Sequence, residues 1–457
     1  MMIAAVAAVC TGCIEDGFAT SPSDQPAFSV DTLDFGVIYT DELSRTSRMV
    51  VYNRHSKGLN LQSVKMAGPN AELFRINVDG MSGRELSDIE IRAKDSIFVF
   101  VEATLPSTDT DAPVRVESEL QFVVNGVTSR VVVAADGQDI YRLNGLVVDK
   151  DKTLTGGRPY RVTDSLVVVP GATLTLDPGV KLMFHDKAYM SVGGTLRSMG
   201  TPEQPVRLTG DRAGDVITGV SFDIMSRQWD CVDFLPSSTG NYMQYTEVSN
   251  TSYGVAVYGD GSDLDQPKLS LVNCRLRNSG ECVLLAFNAS IDARGCEFAE
   301  AGSGLVYLLG GNHRFDLCTA SNHYLFASAG GAAWTFVDPE NTEDWAGIPP
   351  TSALITNSIT WGIGDDVSPG DLAGQPIVFN RCLFRSKGTD DDNFVDCIWD
   401  ADPLFYTERE KYLFDYRLRP DSPAIGAAYP ALSDRPLATD FYGAPRASDL
   451  GAYAFVN

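Results

Sequence analysis

A hexapeptide that returns after 22 residues constrains this chain more than anything else in it. Gly171-Ala-Thr-Leu-Thr-Leu176 comes back as Gly193-Gly-Thr-Leu-Arg-Ser198, an offset of 22 (193 − 171). Around both copies, across residues 166–210, short β-rich runs are cut by Pro-Gly, Gly-Gly and Gly-Thr-Pro. No apolar period of about 3.6 is present there, so the pieces read as strands and tight turns. A period in the low twenties built only of strands and turns suggests a parallel β-helix, each repeat one coil stacked on the last.

A second marker extends the stack. Cys274, Cys296 and Cys318 each close a similar strand, again 22 residues apart, and 353–358 and 376–382 continue the pattern with insertions between. Tyr245-Thr-Glu-Val248 fills the same slot earlier. Equivalent positions of neighbouring coils lie about 4.8 Å apart, so the three Cys should form an inward ladder. Buried thiols used as small fillers fit that ladder, and a disulfide between neighbours is sterically allowed. A metal site is disfavoured because no His or carboxylate shares the slot. Asn273, Asn357 and Asn380 suggest a partial Asn ladder at the turns.

Composition narrows the partners. Sixty acidic residues against 36 basic ones give a net charge of −24, a field that repels polyanions and disfavours nucleic acid. With no sustained apolar window, no helix is expected to span a membrane. Four His, and one C-x-x-C pair at Cys10 and Cys13, argue against zinc.

Residues 1–13 form a short apolar run ending in Cys10-Thr-Gly-Cys13, which resembles a bacterial lipoprotein signal with Cys13 as the lipidated residue. Glu15 and Asp16 resemble the surface-export signal of Bacteroidetes lipoproteins. Residues 14–27 read as a flexible tether. Residues 28–139 alternate at period two in about seven short strands, with Asn125-Gly126 as a hairpin turn, which suggests an Ig-like sandwich. Leu33-Asp-Phe-Gly36 and Val50-Val-Tyr-Asn53 resemble the ASH-type Ig-like domains. His55 reads as a solvated loop residue.

The opening LVVVPGATLTLDPGVKLMF, the stretch from Trp229 to Phe234, and the closing SPAIGA, DFYGAPR and DLGAY together resemble the right-handed parallel β-helix repeat lipoproteins of Bacteroidetes. The resemblance implies an all-β chain: an N-terminal Ig-like sandwich, then a right-handed parallel β-helix over 140–457 with a C-terminal cap. It also implies an outer-membrane, lipid-anchored, cell-surface location. It does not imply an activity, because the shared residues are turn formers and core fillers.

The coils hold few candidates for chemistry. Gly364-Asp365-Asp366 resembles one short motif of the polygalacturonases, which need paired carboxylates, but the companion motifs are absent. The run from Lys387 to Asp392 supplies oxygens without a Ca²⁺-loop pattern, leaving adventitious Ca²⁺ and no required cofactor. The insertion GGAAWTFVDPENTEDWAGIPPT, residues 330–351, breaks the coil rhythm. Its Trp334, Asp338, Glu340, Glu343, Asp344 and Trp345 suit sugar recognition, rings stacking and acids bonding hydroxyls. Trp361 would widen the patch. The expectation is a non-enzymatic surface protein binding a glycan or other cell-surface ligand. The alternatives are a diverged lyase or hydrolase at Asp365 and Asp366, or a structural, adhesive protein that would show an apolar coil face without a cleft.

Overall fold

The computed structural model describes residues 17–212, 214–217, 219–326, 330–337, 339 and 347–456. The chain is all-β and divides into two compact units between Asp139 and Ile140. Among the described residues, no helix is long and apolar enough to cross a membrane. Cys13, the expected lipid-anchor residue, lies outside the described residues, as do Asp338, Asp344 and Trp345.

The first unit is two five-stranded sheets over one core. One centres on Ser47–Tyr52 and Ser96–Ala103, the other on Val114–Val124 and Val127–Gln138. Asn125 and Gly126 both take positive φ, 52° and 77°, the two-residue turn whose twist matches a hairpin. Pairing is antiparallel except for Thr32–Tyr39, which runs parallel to Val127–Gln138. Asn53 is buried, and its amide donates to the carbonyls of Lys57, Ile91 and Arg92 at 2.8, 3.0 and 3.0 Å. Two expectations change here. Within the expected tether, residues 17–27 are tied down, Ala19 N–H to Gly58 O at 2.8 Å and Gln25 Nε2 to Val124 O at 3.1 Å. His55 is half-buried between Gln25 O and Asp24.

The second unit stacks the chain in parallel rungs. Thr173 pairs with Thr195 and Leu174 with Leu196, so the 22-residue repeat is one rung. That ladder has ten strands, from Lys152–Leu154 through Leu269–Val272, Ile291–Arg294 and Asn312–Asp316 to Phe394–Val395. A 17-stranded sheet supplies two more ladders. The second runs through Thr246–Ser249, Arg275–Ser279, Glu297–Ala301, Thr319–Asn322 and Ile359–Gly362. The third runs through Thr251–Tyr258, Leu284–Phe287, Val306–Leu309, Ala332–Val337 and Asp365–Ser368. Inward side chains of all three ladders share one core. Gly194 is obligatory where rungs meet, because a Cβ there would lie 2.2 Å from Ala172 O.

The corner between the first and second ladders repeats chemically. It is turned by a single left-handed residue: Tyr245, Asn273, Gly295, Leu317, Asn357, Arg381 and Asp396, with φ from 41° to 64°. For a residue with a Cβ this costs about 1–2 kcal/mol. The next residue is always a hydroxyl or a thiol: Thr246, Cys274, Cys296, Cys318, Ser358, Cys382 and Cys397. Each donates to the carbonyl two places back, from 2.6 Å for Ser358 to 3.6 Å for Cys382. Some also accept an N–H from the rung before, Cys274 N–H to Cys296 Sγ at 3.4 Å and Cys318 N–H to Ser358 Oγ at 3.0 Å. At about 0.5–1.5 kcal/mol each, these bonds offset the strained corner. The slot requires a small donor, which is why Thr, Ser and Cys interchange there. The described thiols are free. Asn273 and Asn357 do turn corners; Asn380 sits one place too early, and Arg381 takes the corner instead.

The last residues do not cap the stack. Phe379, Phe384, Phe394 and Trp399 close its end by ring stacking, Phe379 on Phe394 at 5.3 Å and Phe384 on Trp399 at 4.8 Å. The chain then folds back along the outer side of the second ladder, where Phe405, Tyr416, Leu418, Phe441 and Tyr453 bury Ala299 and Ile359. Its course follows the corners in reverse order. Asn357 takes the N–H of Tyr429 at 2.8 Å; Asp316 binds Ser433; Arg314 binds Asp434 at 2.9 Å; Asp292 binds Arg435 at 2.5 Å; Asn273 and Tyr245 both bond Thr439.

Candidate functional site

Each residue singled out in the sequence has a definite place or lies outside the described chain. Trp334 stands on the third ladder and points inward. It is fully buried, its Nε1–H bonds Thr360 Oγ1 at 2.9 Å, and its ring meets Phe315 edge-on at 4.9 Å. The expected sugar platform is therefore a core side chain here, because strand alternation turns its face to the interior. Trp361 is half-buried beneath the returning C-terminal segment and does not widen a patch with Asp365.

Asp365 and Asp366 line a cavity of about 510 Å³ with Lys387, Asp391 and Trp399. Asp365 is exposed. Asp366 accepts the N–H of Ser386 at 2.8 Å, and Asp391 accepts those of Asn393 and Phe394 at 2.8 and 2.9 Å. Asp390, in the same acidic run, holds Trp399 Nε1 at 3.1 Å. Two of the three acids in the cavity thus hold turns. Paired-carboxylate hydrolysis assigns one acid to protonate the leaving group and one carboxylate to attack or activate water, whereas the backbone bonds give Asp366 and Asp391 a structural role. Among the described residues, no group of three or more His, Cys, Asp and Glu could hold a metal.

Burial opposes ionisation of Cys296, but hydrogen bonds from Cys274 and Cys318 outweigh it and shift Cys296 down; its neighbours in the ladder are held neutral. Burial pushes Cys274, Cys318 and Cys382 well above the ordinary thiol range, and Cys282 up to about 11. In these four the thiolate, the reactive form, is disfavoured without a nearby cation.

What sequence reading missed is the outer side of the third ladder. On four successive rungs the inward residues are Val255 and Val257, Leu284 and Ala286, Val306 and Leu308, Trp334 and Phe336, all buried. The residues between them form two outward columns. Ala256, Leu285, Tyr307 and Thr335 stand in register, as do Tyr258, Phe287, Leu309 and Val337. None is charged. Tyr258, Leu285, Phe287, Tyr307, Thr335 and Val337 keep part of their surface in water. The Tyr258 and Phe287 rings lie 6.5 Å apart. In earlier rungs the first column is Ser191 and Asp233, so the apolar character starts abruptly. Aligning Val255-Ala-Val-Tyr258 with Leu284-Leu-Ala-Phe287 would have exposed both columns.

The ten-stranded ladder carries a different feature, a groove of about 620 Å³ lined by Asp265, Pro267, Asp292, His313, Arg314 and Leu354 among others.

No family model matches the chain, and no curated protein does. Among solved structures, a Porphyromonas gingivalis W83 protein of unknown function is 14% identical, covering 28% of this chain and 58% of that one, with a TM-score of 0.19. A family 123 glycoside hydrolase from Clostridium perfringens is 8% identical, covering 25% of this chain and 26% of that one, also at 0.19. The chain thus spans little more than half of the first and about a quarter of the second. Likeness at that level carries no argument about fold or activity.

Proposed function

We propose that this chain is a lipid-anchored protein of the outer-membrane surface that binds and does not cleave. In this reading an Ig-like module carries a right-handed parallel β-helix, and the outer side of the third ladder docks another protein. The observation that carries the docking is the pair of uncharged columns over four rungs, from Tyr258 to Val337. A contiguous apolar face left partly in water marks an interaction surface. It is a face, not a cleft, which favours a protein partner over a small ligand. The hand of the coils follows from the near-universal right-handedness of parallel crossovers. The Ig-like reading is supported by two five-stranded sheets over one core. The anchor rests on the residues around Cys13.

The test uses the intact protein in the cells that make it. A photo-crosslinking residue at Tyr307 should capture one discrete partner, and Leu285→Lys with Phe287→Lys should abolish the capture at unchanged melting temperature. Capture that survives the double substitution refutes the docking face. A Cys13→Ala variant that still carries radiolabelled fatty acid refutes the anchor.

A further inference from the structure

The uncharged columns outside the third ladder also limit what kind of backbone can lie on them. A sheet face offers side chains and no backbone. The four strands that carry Tyr258, Leu285, Tyr307 and Val337 each pair on both sides, so their N–H and C=O groups are taken. An extended segment laid on this face would leave its own backbone groups unpaired against apolar side chains, which is costly. Strand addition needs an open edge, and the middle of a stack has none. An α-helix satisfies its backbone within itself and escapes that cost.

Spacing agrees. Rungs follow one another about every 4.8 Å, and the turns of a helix about every 5.4 Å. A helix lying along the stack therefore sets roughly one turn on each rung. The two columns stand two residues apart on each strand, about 6.6 Å, and together make a strip for the apolar stripe of such a helix.

Charge marks one end. Asp233 is in register with Ala256, one rung before the apolar part begins. It is half-buried and forms no ion pair among the described residues. Burial pushes its carboxyl up; the Cys231 thiol counters this in part, and Asp230 adds to it. At the other end the column closes on Ser368, in register with Thr335. From Asp233 to Thr335 is four steps, about 19 Å, the length of a helix of about 13 residues. Among the described residues this chain has no α-helix of its own, so their copy in a second molecule does not supply one.

We infer, on the strength of the docking face proposed above, that its occupant is an amphipathic α-helix of a different protein. The helix lays its apolar stripe over the two columns and seats a Lys or Arg at Asp233.

Three synthetic peptides of about 15 residues, titrated against the full chain by fluorescence anisotropy, test it. The first is helical, with a leucine stripe and Arg at one end. The second carries Glu in place of Arg, and the third scrambles the first so that the stripe is lost. The striped Arg peptide should bind, the Glu peptide about tenfold more weakly, and the scrambled peptide not at all. The net charge of −24 favours Arg everywhere, so the deciding arm is Asp233→Asn, which should cut the Arg-over-Glu preference to within about twofold. Leu285→Lys with Phe287→Lys should abolish binding of both striped peptides. Should that pair melt early, Tyr258→Ser replaces it and should weaken binding. Equal binding of striped and scrambled peptides, or an Arg preference untouched by Asp233→Asn, overturns the helix. Photo-capture at Tyr307 that depends on Leu285 and Phe287 while no striped peptide binds keeps the docking face and overturns the helix alone. Loss of both removes the face and the helix with it.

Discussion

The second and third ladders invert the usual rule about what is buried. Outside the second ladder, under the returning C-terminal segment, stand Arg275, Arg277 and Glu297, all nearly or largely buried. Outside the third ladder, with water against them, stand Tyr258, Leu285, Phe287 and Tyr307. The covered face is charged and the open face is apolar. The difference lies in what each face has to bond. The C-terminal segment brings Tyr453 to Glu297 and Tyr416 to Glu300, and lays Phe441 beside the Arg275 guanidinium at 5.2 Å. Each buried charge on that face has a partner, so its burial is tolerable. The open face carries no charge, only the hydroxyls of Tyr258, Tyr307 and Thr335 among its apolar side chains, and is suited to a largely apolar surface from outside.

Four measurements would break or sharpen this contrast. Arg275→Ala should have the largest effect, because Glu247 at 3.1 Å loses its cation and buried Glu297 loses one of its two, keeping Arg277 at 3.4 Å. A loss of about 3–5 kcal/mol in urea unfolding is expected; under 1 kcal/mol would mean the covered charges are solvated after all. Trp334→Ala, which opens a core cavity behind the open face, should cost about 3–4 kcal/mol by the same measurement. A stability loss near zero would return Trp334 to the surface.

The third test is a pH series. Burial pushes Glu300 up to about 8, while its ordinary value is 4.5. The folded state therefore holds a proton that the unfolded state releases, and the stability this gives is lost as pH rises through 8. His313 and His323, both pushed down to about 4 by burial, act in the opposite sense below their ordinary 6.5. Between pH 6.5 and 9, then, melting should fall with rising pH by the equivalent of about 1 kcal/mol or more, and Glu300→Gln should flatten the curve. A slope of the same size in that variant would assign the effect elsewhere. The smallest effect belongs to the open face: Tyr258→Ser should change stability by no more than about 0.5 kcal/mol. A larger loss would show that the column is held by the chain's own packing.

The stack was legible because its constraints recur. The Gly171 and Gly193 hexapeptides are literally one above the other, and the Cys274, Cys296 and Cys318 steps mark one corner repeated. Each such position answers to the same neighbours at the same distance, so the residue type repeats. Trp334 was misread because it lies beside an insertion, where the rhythm fails and a Trp near acids invites a surface reading. The groove was hidden because its members, Asp265, His313 and Arg435, come from far-apart segments with no shared period. The C-terminal segment was hidden for the same reason. Asp292 and Arg435 are 143 residues apart, and nothing in either stretch names the other.

That last segment has a consequence for biosynthesis. A stack of rungs can begin to assemble while the chain is still being translated, since each rung needs only the one before it. The seam along the corners cannot close until Tyr429 to Thr439 have left the ribosome, and those residues follow every rung. Until then Arg275 and Glu297 face water, and Ile359 is bare. A nascent chain stalled short of residue 429 would carry every rung and still lack the seam, so the closed seam tells a chain that has passed residue 439 from one that has stopped at the rungs.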